Sequence, residues 1–207
     1  MNKTINKIED IIKDFRIGND AMNELKGDSV TIFGSARLKE DSEDYKITME
    51  LSERLCRELN INVITGGGPG IMEAANKGAY KCDKTKSVGM GIVLPFEEAE
   101  NEFTTINEQF KYFFSRKVML INYSKAYIAM KGGFGTLDEI FETITLMQTK
   151  KIRRTKIYLI GTEYYGPLMD YIKNSMLPAG VISDSDLELF ELTDDLDFVI
   201  EDIRKLK

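Results

Sequence analysis

The chain has 207 residues, of which 43% are hydrophobic and 30% charged, and a net charge of −6. That length suffices for one sizeable core, and the acidic balance argues against a nucleic-acid binder that works by broad phosphate neutralisation. No apolar run approaches the roughly 18 residues needed to span a membrane. The first residues, MNKTINKIEDIIKDF, lack the continuous apolar stretch of a secretory signal, so a cytoplasmic protein is expected. There is no histidine. Ser-His-Asp and Cys-His mechanisms are therefore excluded, and proton transfer falls to carboxylates, Lys, Tyr or water. The two cysteines, Cys56 and Cys82, fit no metal or disulfide framework and are expected as reduced, mostly buried thiols.

In chain order, residues 4–16 have helical apolar spacing, SVTIFGS (29–35) reads as a strand, and 42–60 as an amphipathic helix. NVITGGG (62–68) is a second strand and 70–80 a helix. SVGMGIVLP (87–95) is a third strand, and 106–122 reads as an aromatic-rich helix. KAYIAM (125–130) is a fourth strand, 136–150 a helix, and TKIYLIG (155–161) a fifth strand. A helix near 166–176, a sixth strand at 187–193 and a helical tail from 194 complete the chain. Strands alternating with helices predict an α/β fold, a Rossmann-like, doubly wound parallel sheet in a single domain. The strands are apolar runs, as strands buried on both faces should be. Residues 1–28 form a helical extension, expected to pack on a partner subunit.

Three strands run into glycine-rich segments: Gly34-Ser35, Gly66 to Gly70, and Gly132-Gly133-Phe134-Gly135-Thr136. In a parallel sheet all three lie on one rim, where ligands bind. Glycine lets backbone N–H groups come close to a ligand, and a following helix offers further N–H groups and a positive dipole end. Each loop taken alone reads equally well as a tight turn. GGGPGIME lacks the G-x-G-x-x-G spacing, and no Gly-Lys-Ser/Thr closes a P-loop. Thr136 is placed to cap the next helix and to reach a phosphate oxygen. Lys131 is either a solvated side chain or a further phosphate contact. Glu139, one turn into that helix, lies in range of a sugar attached to a phosphate held at the helix start. Arg116 and Lys117, adjacent in an apolar helix, read as a surface pair or as one cation facing the pocket.

These segments together resemble the LOG (Lonely Guy) family. Its motif is Pro-Gly-Gly-x-Gly-Thr-x-x-Glu with an upstream Arg-Lys pair. Here the chain has KGGFGTLDE from Lys131, with RK at Arg116–Lys117, and TIFGSAR and TGGGPGIMEAANKGA also match. The similarity covers roughly residues 29–163. It implies a homodimer or larger assembly that hydrolyses the N-glycosidic bond of nucleoside 5′-monophosphates, such as AMP or cytokinin riboside monophosphates, without metal or cofactor. By matching position it implies that Gly132, Gly133, Gly135 and Thr136 cradle the phosphate. Arg116 and Glu139 would be the catalytic pair, and Lys117 and Thr145 substrate contacts. Ser35 and Gly68 are further candidates for substrate or phosphate contact, and Glu98 for the base or ribose. The departure is Lys131 in place of the motif's proline, which adds a donor, a charge and backbone freedom. Related folds bind molybdenum cofactor, so a non-catalytic nucleotide or molybdenum-cofactor carrier is the alternative. Lysine decarboxylation, a label such proteins have carried, gets no support from a chain without a histidine to stack on a pyridoxal ring.

Overall fold

Strand β1 (Ser29–Phe33) carries Val30, Ile32 and Phe33 and lies fully buried between two others. Its alternate side chains feed different layers. Val30 and Ile32 pack into one core with β2 (Asn62–Thr65) and helices α2 (Glu43–Leu59), α3 (Ile71–Ala79) and α8 (Leu196–Lys205). Phe33 packs into the other, with α1 (Ile8–Asn23), α4 (Phe113–Asn122), α5 (Phe134–Gln148) and α6 (Thr162–Tyr171). The computed structural model describes residues 8–95 and 101–206.

The remaining strands are β3 (Ser87–Ile92), β4 (Ile106–Phe110), β5 (Ala126–Ala129), β6 (Ile157–Ile160) and β7 (Phe190–Thr193). All seven pair in parallel in the order β4-β3-β2-β1-β5-β6-β7. Val30 of β1 faces Val63 of β2 on one side and Ala126 of β5 on the other. The chain winds outward from β1 to β4, returns to β5 beside β1, and then winds the other way. That reversal creates a crevice beyond the C-terminal ends of β1 and β5. The expected doubly wound parallel sheet in a single domain is the observed one.

Four segments differ from expectation. Residues 106–122 are an edge strand followed by a helix, because INEQF buries Ile106 and Phe110 at its ends while its middle stays part-exposed. The helix expected at 166–176 begins at Thr162, and Ile172–Met176 continues it as a π-helical turn. The segment 187–193 contributes strand only from Phe190, after a short helix, α7 (Asp184–Leu187). The first helix runs on to Asn23, seven residues past its expected end, and residues 4–7 of that expectation lie outside the described residues.

The cysteines also differ. Cys56 on α2 and Cys82, just beyond α3, are joined as a disulfide, with Cα atoms 6.2 Å apart. The sequence separation of 26 carries no signature; the pairing follows from α2 packing on α3. Gly78 brings the two helices close, since a Cβ there would meet the Met49 carbonyl oxygen at 2.2 Å.

Candidate active site

At the sheet's reversal point lies a cleft of about 650 Å3, lined by Gly34 to Arg37, Gly66, Arg116, Gly132 to Glu139 and Tyr164, with Phe33, Met72, Phe113 and Leu120 supplying apolar walls. The three glycine-bearing loops thus converge as expected. The loop after β1 is clamped between the other two. The Ser35 N–H donates to the Lys131 carbonyl at 3.0 Å, and the Ser35 carbonyl accepts from Ile71 N–H at 2.9 Å. Gly34 has no room for a side chain, because a Cβ would meet Ile71 Cγ2 at 2.1 Å.

Helix α5 opens into this cleft two residues earlier than expected. Gly133 is its N-cap and has no capping side chain, and Leu137 N–H is the first to bond back, to the Gly133 carbonyl at 3.0 Å. The amides of Phe134, Gly135 and Thr136 therefore have no partner within the helix, a disposition that favours an anion. Thr136 is not the cap. It sits inside the first turn, 6% exposed, packed over Gly132, where a Cβ would meet its Oγ1 at 2.1 Å. The Gly132 carbonyl is held by the Tyr164 hydroxyl at 2.7 Å.

Glu139 lies one turn further on. It lines the cleft yet is only 7% exposed, and its Oε2 is buried without a hydrogen-bond partner. Burial pushes its carboxyl up to about 7, against the pull of Arg116 and Lys117, while Asp138 and Glu142 push the same way as burial. The Arg116 guanidinium lies along Gly66, where a Cβ would come within 2.6 Å of Nη2. The bare glycine is what admits the side chain.

Other candidates are not at the cleft. Lys117 is buried and bridges to Asp138 at 2.7 Å and Glu142 at 2.5 Å, so its charge is spent on α5. Burial works against the ammonium, but the bonds to these two acids prevail and raise its pKa. Thr145 is exposed and donates to the Phe141 carbonyl of its own helix. Gly68 does not line the cleft; its carbonyl accepts from the Asn101 amide at 3.1 Å. Lys131 turns toward α2 and pairs with Asp44 at 3.1 Å. Glu98 lies outside the described residues.

Two supports of the site had no sequence signal. Asn76 accepts from Thr65 and Asn101 and donates to Ser87 and the Val88 carbonyl, and Thr65 in turn accepts from Gly67 N–H at 2.9 Å. This buried network fixes the loop after β2. Asp14 of α1 is 4% exposed and accepts from the backbone N–H groups of Lys111 and Tyr112 at 3.0 Å and from the Ser115 hydroxyl at 2.6 Å. Helix α4 has no capping side chain of its own at Tyr112; Asp14 instead pins the two residues that lead into the helix and the hydroxyl of Ser115, one position before Arg116. Among the described residues no cluster of His, Cys, Asp or Glu could hold a metal ion.

With this geometry in place, comparison with known proteins is informative. A family model described as "Possible lysine decarboxylase" matches residues 72–203, more than half of the chain. The chain belongs to that family, the LOG family. A cytokinin riboside 5′-monophosphate phosphoribohydrolase, LOG4 of Arabidopsis thaliana, is 25% identical over 169 residues, covering 77% of this chain and 74% of the relative. An uncharacterized protein of Archaeoglobus fulgidus is 32% identical over 117 residues, covering 56% of this chain and 73% of the other. Among solved structures, a molybdenum cofactor binding protein from Rippkaea orientalis superposes with a TM-score of 0.62 at 17% identity, covering 85% of this chain and 94% of that one. That likeness concerns the fold.

Proposed function

We propose that the protein hydrolyses the N-glycosidic bond of nucleoside 5′-monophosphates, releasing the free base and ribose 5-phosphate. The observation that carries this reading is the desolvated carboxylate. Glu139 Oε2 is buried and unpartnered, and it borders a cleft whose adjoining edge is the open amide end of α5. The family relatives named for this activity support it.

In this reading the 5′-phosphate docks on the amides of Phe134, Gly135 and Thr136, and that remote contact orients the sugar. The bond between C1′ and the base nitrogen breaks, its electron pair leaving with the base, which takes up a proton. A water oxygen bonds to C1′. The oxocarbenium-like charge that develops at C1′ is stabilised by the Glu139 carboxylate, which also orients the water and accepts its proton. Arg116 positions the ribose and favours the ionised form of Glu139.

The test is incubation with AMP and chromatography for free adenine. Glu139→Gln is expected to lower turnover by about 100-fold or more while AMP still binds. Full turnover in that variant would remove Glu139 from the chemistry. A carrier of a nucleotide or of molybdenum cofactor, the role named for some proteins of this fold, has no use for a desolvated carboxylate beside its ligand; tight AMP binding without adenine release would favour it.

A further inference from the structure

The cations around the cleft are not equivalent. Lys117 is bridged by two acids of α5. Lys131 points away and is paired with Asp44. Arg116 is wedged along Gly66 beside Glu139. Arg37 differs from all three. It lines the cleft, it is exposed, and among the described residues its guanidinium joins no ion pair or hydrogen bond. Its own N–H donates to Ser35 Oγ at 3.1 Å, a short turn that fixes the stem of the side chain. The turn is tied in turn to the carbonyl of Lys131, next to the loop that opens α5.

An anion entering this cleft meets an acidic molecule, of net charge −6, with Asp138 and Glu139 both on the lining. Backbone amides carry only partial charge, so a dianion gains from a full positive charge beside them, and a guanidinium fork matches phosphate oxygens in pairs. We propose that Arg37 is the charge partner of the ligand's phosphate and makes the cleft select phosphorylated over unphosphorylated sugars. The proposal rests on the phosphate-docking part of the function above, not on the hydrolytic step.

The experiment titrates ribose 5-phosphate and ribose into the wild-type chain and into Arg37→Ala, Arg37→Lys, Arg37→Glu and, as a control away from the cleft lining, Lys39→Ala, each first shown to melt like the wild type. Ribose 5-phosphate is expected to bind about tenfold more weakly to Arg37→Ala, as loss of one exposed charge-assisted contact implies. Arg37→Glu should weaken binding further, Arg37→Lys should restore part of it, and Lys39→Ala should bind as the wild type does. Added salt should weaken binding to the wild type more steeply than to Arg37→Ala. Unchanged ribose 5-phosphate affinity in both Arg37→Ala and Arg37→Glu would overturn the proposal, leaving a solvated arginine at the cleft mouth. A wild-type protein that does not distinguish ribose 5-phosphate from ribose would overturn it together with the phosphate site. If Arg37→Ala loses affinity but the wild type releases no base from AMP, Arg37 keeps its role and the hydrolase reading falls.

Discussion

Glu139 experiences opposed forces whose balance sets a pH dependence. Burial favours its neutral form and outweighs the two nearby cations, so the folded-state value rises from 4.5 to about 7. Between those values the folded chain holds a proton that the unfolded chain has released, so this residue's contribution to stability is complete below about 4.5 and is lost as the pH rises through 7. At about 1.4 kcal/mol per pH unit the loss is on the order of 3 kcal/mol. Glu139→Gln, which cannot ionise, is therefore expected to melt close to the wild type at pH 4 and above it at pH 8. Calorimetric scans at the two pH values check this, and a gap that does not widen with pH would contradict it. Under the proposed mechanism catalysis responds in the opposite sense: the ionised carboxylate would be the active form, so kcat/KM for AMP should climb as the pH passes through about 7. The price of a competent site is thus a locally unfavourable charge. Glu139 was legible in the sequence from its place one turn past the glycines. Its burial was not, because that depends on how α4 packs.

The elements that hold the site were partly legible. The three glycine segments could be read directly, since each follows an apolar strand and the parallel order puts them on one rim. Strand β4 and helix α4 were read as one helix, because an edge strand with a part-exposed middle does not alternate cleanly. Thr145, taken as a substrate contact from the family resemblance, lies on the exposed face of α5, where its hydroxyl bonds to its own helix. The docking of α1 was invisible, since Asp14 works across 101 residues of sequence to reach Ser115. Gly18 completes that docking: a Cβ there would meet Met119 Cγ at 2.7 Å. Asp14→Ala removes an acceptor from two backbone N–H groups and one hydroxyl, at a cost of about 3 kcal/mol. The melting temperature should fall by roughly 6–12 °C, and turnover should fall as well, because the freed end of α4 precedes Arg116. Ser115→Ala, which keeps both backbone bonds, should cost about 1 kcal/mol. Equal melting temperatures for Asp14→Ala and the wild type would show that α1 does not steady the site.

For the molecule as a whole, the Cys56–Cys82 link fastens α2 to the end of α3 on the face opposite the one covered by α1, α4, α5 and α6. Closing a loop of this size restricts the unfolded chain and stabilises the fold by about 3 kcal/mol. Thiol titration of the denatured, unreduced protein should find no free thiol, and reduction should lower the melting temperature without changing AMP turnover, since neither cysteine lines the cleft. Two free thiols would restore the expectation drawn from the sequence. Helices cover both faces of the sheet, and among the described residues no further strand pairs with the outer side of β4 or β7. The first carries Glu108 and Gln109 and the second Glu191 and Thr193. Polar, charged borders of this kind resist lateral growth of a sheet. Copies of this chain that meet at high concentration should therefore join through helix surfaces rather than by extending the ladder, and the protein should stay free of the fibrous deposits to which bare strand edges lead.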